Sequence, residues 1–248
     1  MKRNFTPLFL GMAVLSASTA SQAVVVDFEG AINSASIAFY PLLTHNDFLV
    51  NKGFFVGAIN TKAGAVAGAD LVGVVADSTN IAAAGCGDYL VCPTNNTGNY
   101  LIALNDGLID VQSTVTGGFF ATQFSASFVA VLGDTIPAGA MVLQVEGYSA
   151  TAQVFSQQFS IPGPTAGVYS FASYMLNATN SSTPIVELAF RGFACNAAGS
   201  CNRTSDKAQF ALDNIVVTAV PEPSQWLLMG LGLMAMGGLV RRSARTAA

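Results

Sequence analysis

Charge is what this sequence has least of. Only 10% of its 248 residues are Asp, Glu, Lys or Arg, against about 25% in ordinary soluble domains. It has one histidine, His45, and one tryptophan, Trp226. A lone histidine with no G-x-S-x-G elbow and no H-E-x-x-H leaves no material for a Ser–His–Asp triad or a zinc-protease helix. His45 therefore reads as a solvent-facing or capping residue. A phosphate-cradling Gly-rich loop is missing too. The glutamates of the body, Glu29, Glu146 and Glu187, show no spacing that singles out an acid pair for glycoside hydrolysis. No catalytic residue is assigned.

Basic residues are scarce where they would matter. Five of the ten Lys and Arg sit at the extreme ends: Lys2, Arg3, Arg241, Arg242 and Arg245. Between Val24 and Val220 only Lys52, Lys62, Arg191, Arg203 and Lys207 face 13 acidic residues, a net of −8. Such a surface repels phosphate backbones, which excludes nucleic acid as a partner. It suits divalent cations better.

The N-terminus has the three parts of a secretory signal. Lys2 and Arg3 supply the positive region, Leu8–Leu15 a short apolar core, and Ser21-Gln22-Ala23 the small residues of a cleavage site. Residues 1–23 are expected to be a signal peptide cut after Ala23. That leaves one domain, 24–219, large enough for a substantial core.

The C-terminal segment, 220–248, carries more information. Pro221-Glu222-Pro223 is followed by a 15-residue apolar run, Trp226–Val240, then by the tail 241–248 with Arg241, Arg242 and Arg245. The prolines end the preceding strand. A membrane helix over about 225–240 is expected, at about 22 Å somewhat short for a full span. Trp226 is placed as an interfacial anchor and the arginines as the positive-inside signal. A Pro-Glu-Pro triplet, an apolar helix and a terminal Arg cluster, in that order, resemble the PEP-CTERM sorting signal. The resemblance implies a Gram-negative bacterium that makes extracellular polysaccharide, and processing by an exosortase in the membrane. Pro221, Glu222 and Pro223 would then be the recognition motif, and Arg241, Arg242 and Arg245 the cytoplasmic stop. The membrane-bound form would be an intermediate on the way to the cell surface or matrix.

Between the ends the apolar residues alternate with period two. Phe120, Thr122, Phe124, Ala126, Phe128, Ala130 and Leu132 are expected on one strand face, Gln123, Ser125 and Ser127 on the other. Met141, Leu143 and Val145 oppose Gln144 and Glu146. Phe155, Phe159 and Ile161 oppose Ser156, Gln158 and Ser160, and Phe210, Leu212 and Val216 share a face in the last strand. Turn signals separate the runs. The pattern predicts a mainly β fold, an antiparallel, jelly-roll-like β-sandwich of ten or so strands. The Ala- and Gly-rich stretch 57–97 is expected to form long loops with short edge strands.

Four cysteines occur as two C-x5-C pairs. In an exported chain an even count implies disulfides, and four cysteines allow three connectivities. The repeated spacing favours local bridges, Cys86–Cys92 and Cys195–Cys201. Zinc is the rival, but the spacing is wide for it and no histidine is near.

One polar constellation stands out. Asp27 and Glu29 lie in the first strand region, Asp213 and Asn214 in the last, and terminal strands of a sandwich are often neighbours. Clustered oxygens of this kind suit Ca²⁺. Phe28-Glu29-Gly30 and Leu212-Asp213-Asn214-Ile215-Val216-Val217 also resemble the opening and closing strands of jelly-roll carbohydrate-binding modules, which hold a structural calcium. That resemblance implies Glu29 and Asp213 as first ligands and Asp27 and Asn214 as neighbours. The alternative is that Asp213-Asn214 shapes a β-bulge and Asp27 pairs with a lysine. Sugar platforms favour tryptophan, and the body has none; its tyrosines are the substitutes. The functional expectation is a non-catalytic structural or adhesive protein of the cell surface or exopolysaccharide matrix. A hydrolase acting on extracellular polysaccharide or protein is the alternative.

Overall fold

The computed structural model describes residues 23–29, 41–114, 117–133, 141–177, 183–196, 198–202 and 207–220, with 230, 232–234 and 236 from the C-terminal segment. The signal residues 1–22, the motif Pro221, Glu222 and Pro223, and Arg241, Arg242 and Arg245 lie outside the described residues. The expected helix over 225–240 is described at only five positions. Among the described residues no helix is long and apolar enough to cross a membrane.

Two antiparallel seven-stranded sheets pack face to face, as the alternation requires. The first runs in the order β13 (Ala172–Met175), β9 (Phe119–Phe128), β16 (Phe210–Ala219), β7 (Asn99–Ala103), β5 (Leu71–Asp77), β2 (Leu42–Thr44). β1 (Ala23–Val26) pairs with the far half of β16, from Ala23–Thr218 to Val26–Ile215. The second sheet runs β12 (Gln153–Ile161), β11 (Met141–Tyr148), β14 (Glu187–Cys195), β8 (Leu108–Ser113), β4 (Phe54–Ile59), β3 (Asp47–Asn51), with β15 (Cys201–Asn202) beside β14. A ribbon of β6 (Leu90–Val91) and β10 (Ala130–Val131) stands apart. From β7 onward the chain crosses repeatedly between the main sheets, apart from the β11–β12 hairpin and the short β15 beside β14, the jelly-roll-like course that the sequence predicts.

The main core lies between the sheets. Phe124 is its hub: the ring meets Phe159 and Phe190 edge-on at 5.1 and 5.2 Å and stacks on Tyr174 at 5.4 Å. Edge-to-face contacts add to the gain from burying the rings. Inward residues of β11 and β12 follow the expected alternation, with Met141, Leu143, Val145, Phe155 and Ile161 buried. Cys86–Cys92 and Cys195–Cys201 are both formed, as the spacing implies.

The alternation of β9 and β16 departs from expectation. Phe119 and Ala121 are buried in place of Phe120 and Thr122, and Ile215 and Val217 in place of Val216. The pairing steps from Asp213–Ser125 to Val216–Gln123 and then to Val217–Ala121. Asn214 takes φ 50° at the first step. An extra residue moves every later side chain to the opposite face. Leu132 is half exposed, beyond the end of β10. Ser125 and Ser127, placed by their polarity on an open face, are buried.

Stretch 57–97 also differs from expectation. β5 is a seven-residue interior strand between β7 and β2. Its Val72, Val74, Val75 and Ala76 are all buried. A second apolar cluster on the outer face of this sheet, including Val74, Tyr100 and Ile102 under the loop stapled by Cys86–Cys92, covers it. A strand covered on both faces reads as a continuous apolar run, not an alternation.

Removing the hub should expose how far the two sheets depend on it. Phe124→Ala is expected to lower unfolding free energy by about 3–5 kcal/mol in urea titration; a loss below about 1 kcal/mol would mean the ring is not central to packing.

Candidate functional site

Two polar sites emerge, one expected from sequence and one not. The first is the edge where β1 and β16 pair. Asp27 and Glu29 follow β1 directly, and Asp27 Oδ1 accepts the Glu29 amide at 3.1 Å. Lys52 Nζ lies 3.7 Å from Asp27 Oδ2. Glu29 Oε1 accepts the backbone N–H of Asn99, whose side-chain amide donates to Phe28 O at 3.1 Å. A Cβ at Gly98 would overlap the Glu29 carboxylate, so any larger residue there would push Glu29 aside.

Asp213, held by the β16 bulge, is 5% exposed. Its Oδ1 accepts the Asn214 N–H at 2.7 Å, and its Oδ2 accepts the side-chain amides of Asn214 at 2.8 Å and Asn96 at 3.1 Å. Burial pushes its pKa up to about 7, the charges of Asp27 and Glu29 add to the rise, and the asparagine bonds oppose it. The structure thus brings Asp27, Glu29, Asp213 and Asn214 into one neighbourhood. Both features of the alternative are present as well: the bulge at Asn214 and the lysine beside Asp27. Among the described residues no three His, Cys, Asp or Glu side chains are grouped so as to hold a metal ion. A cation here would have to draw on amide and backbone oxygens as well. Asn96 and Asn99, absent from the sequence reading, belong to this edge; the Asn95-Asn96-Thr97-Gly98-Asn99 run was their only signal.

The second site lies on the outer face of the other sheet. Cross-strand register aligns Phe48, Gly57, Asp110, Ala189, Glu146 and Ser156 in one row across six strands. Gly57 and Ala189 flank Asp110, so the row dips at the acid. A groove of about 320 Å³ forms there, lined by Asp47, Phe48, Phe55, Gly57, Asp110 and Gln112 among others. Phe48 and Phe55 are 40% and 36% exposed and meet edge-on at 5.2 Å.

The acids of this face differ sharply in how they are satisfied. Glu146 accepts from Arg191 Nε at 2.9 Å, Tyr148 Oη at 3.0 Å, Gln144 Nε2 at 2.9 Å and Gln153 Nε2 at 3.2 Å. Asp110 is 5% exposed, receives one bond from Gln112 on Oδ2, and has no partner on Oδ1. Burial pushes its pKa up to about 7; the Glu187 charge adds to this, and the Gln112 bond and the Arg191 charge work against it. A buried carboxyl left half satisfied is costly unless something completes it. The sequence signal was an acid inside the apolar run Leu108-Ile109-Asp110-Val111, which reading by motif passes over.

His45 is structural: its Nδ1 accepts the Asn60 backbone N–H at 2.9 Å, the capping role expected.

Comparison with known proteins adds the following. The family description "PEP-CTERM protein-sorting motif" matches residues 219–242. The C-terminus therefore carries a PEP-CTERM sorting motif, starting where β16 ends and where Val220 N–H makes a bond to Gly118 O. No curated protein matches the chain significantly. Among solved structures, a DUF4465 family protein from Bacteroides caccae is similar at 14% identity, with 80% of this chain and 100% of that one covered and a TM-score of 0.46. A mutant of the family 29 carbohydrate-binding module CBM29-2 is 11% identical, with coverage of 82% and 97% and a TM-score of 0.36. The enzymatically active domain of bacteriophage CBA120 tailspike protein 4 is 7% identical, with coverage of 68% and 20% and a TM-score of 0.32.

The two raised carboxyls give a pH dependence of definite sign. Asp110 and Asp213 titrate near 7 when folded and near the ordinary 3.8 when unfolded. The folded state therefore holds more protons between about pH 4 and 7, and its stability falls as pH rises through that window. The cost approaches about 1.4 kcal/mol per pH unit for each carboxyl. Urea midpoints of the parent and of Asp110→Asn/Asp213→Asn, compared from pH 4 to 8, should diverge, with the variant gaining as pH rises. Parallel curves would refute the raised values.

Proposed function

We propose that this chain is a non-catalytic, exported β-sandwich of the cell surface or exopolysaccharide matrix that contacts extracellular polysaccharide through the outer face of β12-β11-β14-β8-β4-β3. The observation that carries the export half is the sorting motif at 219–242, which implies handling by an exosortase and delivery to the surface. Two disulfides suit that oxidising destination. The motif abuts the last strand, so processing near Pro221-Glu222-Pro223 would leave the sandwich whole.

The polysaccharide half is supported by the face itself. Gln112, Gln144, Gln153, Ser156, Asp110, Glu146 and Arg191 lie on or beside one cross-strand row, and Phe48 and Phe55 offer apolar surface at its end. Sites for small polar ligands combine apolar walls with a few aimed polar groups in this way. Broad amide and hydroxyl coverage suits a polyhydroxylated chain lying across strands.

At the opposite edge we propose a structural role for Ca²⁺. Glu29 and Asp213 would supply carboxylate oxygens, with Asp27 and Asn214 as neighbours. The mutual repulsion that helps raise Asp213 is what a divalent cation would relieve. Its contribution would be to lock β1 against β16.

Two measurements check these readings. Mass spectrometry of the mature C-terminus should find a chain ending near 221–223 when the processing enzyme is present; a chain intact through Ala248 with and without that enzyme defeats the sorting assignment. The melting temperature of the parent should drop on adding EGTA, and Glu29→Ala and Asp213→Ala should remove the difference. An unchanged melting temperature in the parent would eliminate calcium. Turnover of a polysaccharide, abolished in Asp110→Asn, would replace the binding role with that of a hydrolase.

A further inference from the structure

The proposed polysaccharide face carries an electrostatic asymmetry that narrows its ligand. Glu146 takes four donors, Arg191 among them, so the one arginine of the face among the described residues is already committed. Asp110, one aligned pair away across Ala189, keeps an oxygen without a partner. The charged groups placed around it are Asp47 on β3 and Glu187 and Arg191 on β14, with Gln112 the neutral donor on its own strand. No lysine or arginine lines the groove among the described residues. The groove is thus a trough with one buried, half-satisfied acid, further acids nearby and two exposed phenyl rings. What would complete it is a hydrogen-bond donor carrying positive charge.

We infer that the groove at Asp110 recognises a polysaccharide bearing free ammonium groups, an amino-sugar polymer, in preference to neutral or anionic chains. This rests on the reading that the outer face binds polysaccharide. An ammonium has three N–H donors and no acceptor, which fits the Asp110 carboxylate once it turns its enclosed, unpartnered oxygen toward the groove. Phenyl rings also attract ammonium groups through their negative faces, and Phe48 and Phe55 stand at the same trough. A sugar hydroxyl would satisfy Oδ1 but leave the charge of an ionised Asp110 uncompensated. A uronate would meet like charge, both here and across a body of net −8. Gly57 leaves room for the incoming group: an added Cβ there would sit 3.9 Å from the Asp110 Cβ. Burial and the Glu187 charge keep the Asp110 carboxyl near 7, as befits an acid awaiting its counter-charge.

The test is calorimetric titration of the full-length protein in detergent, in buffer at about pH 7, where Asp110 is about half ionised, with three tetramers: glucosamine, N-acetylglucosamine and a uronate. The glucosamine tetramer should bind at least tenfold more tightly than either other. Asp110→Asn should erase that preference, and Gly57→Leu, which fills the trough and keeps the acid, should abolish binding at an unchanged melting temperature. Equal affinity for the N-acetylated tetramer, or tighter binding of the uronate, overturns this inference and leaves polysaccharide binding standing. A preference that survives in Asp110→Asn overturns it as well. If none of the three tetramers nor a neutral glucan tetramer binds, the inference fails together with the reading beneath it.

Discussion

The pairing of β9 with β16 holds the first sheet together and fixes what each face presents. β16 is bonded on one side to β9 and on the other to β7 and β1 in turn, so it joins the first described strand to two strands from the middle of the chain. The one-residue step at Asn214 is what makes this arrangement serve two purposes. Before the step, Phe210 and Leu212 enter the core; after it, Ile215 and Val217 do, and Asp213 is left buried beside Asp27 and Glu29. An unbulged β16 would point Val216 inward and send Ile215 and Val217 to the opposite face. A positive φ of 50° at Asn214 costs little because Asn tolerates that region, and its side chain returns to Asp213 Oδ2.

Among the described residues the second sheet has no such covering. The first sheet's outer face is overlaid by the segment that Cys86–Cys92 staples, with a second apolar cluster beneath. The second sheet's outer face keeps exposed Gln112, Ser156, Gln158, Phe48 and Phe55. The two faces therefore divide the work: one is buried to give a fold with few charges enough apolar area, the other is left polar. Ala and Gly at Ala189 and Gly57 lower the second face around Asp110, turning a flat sheet into a trough.

Local features were legible in the sequence and long-range ones were not. The alternation in β11 and β12 and the two C-x5-C bridges follow from residue types at short spacing; the approach of the first strand to the last, the one long-range exception, follows from the way sandwiches place their terminal strands. The bulge was legible only as an alternative, because Asp213-Asn214 is compatible with either a metal ligand pair or a register step. Val72, Val74, Val75 and Ala76 gave no alternation because both faces of β5 are covered. The trough was invisible for a different reason. Gly57, Asp110, Glu146 and Ala189 are far apart along the chain, and only strand order and register set them in one row. In the sequence Asp110 is only a polar interruption of an apolar run; its neighbours across the strands are what set it apart.

An acid-rich, charge-poor sandwich with a sorting motif at its end has few ways to engage a polymer outside the cell. Its net negative field repels anions, and the Arg191–Glu146 salt bridge on the outer face, at 2.9 Å, is internally closed. What remains is a carboxyl held buried and half satisfied in the wall of a groove. The most direct check is a carboxyl-carbon NMR titration of Asp110 in the full-length protein. The account predicts a midpoint of about 7. A midpoint of about 4, the value of an ordinary solvated aspartate, would contradict it.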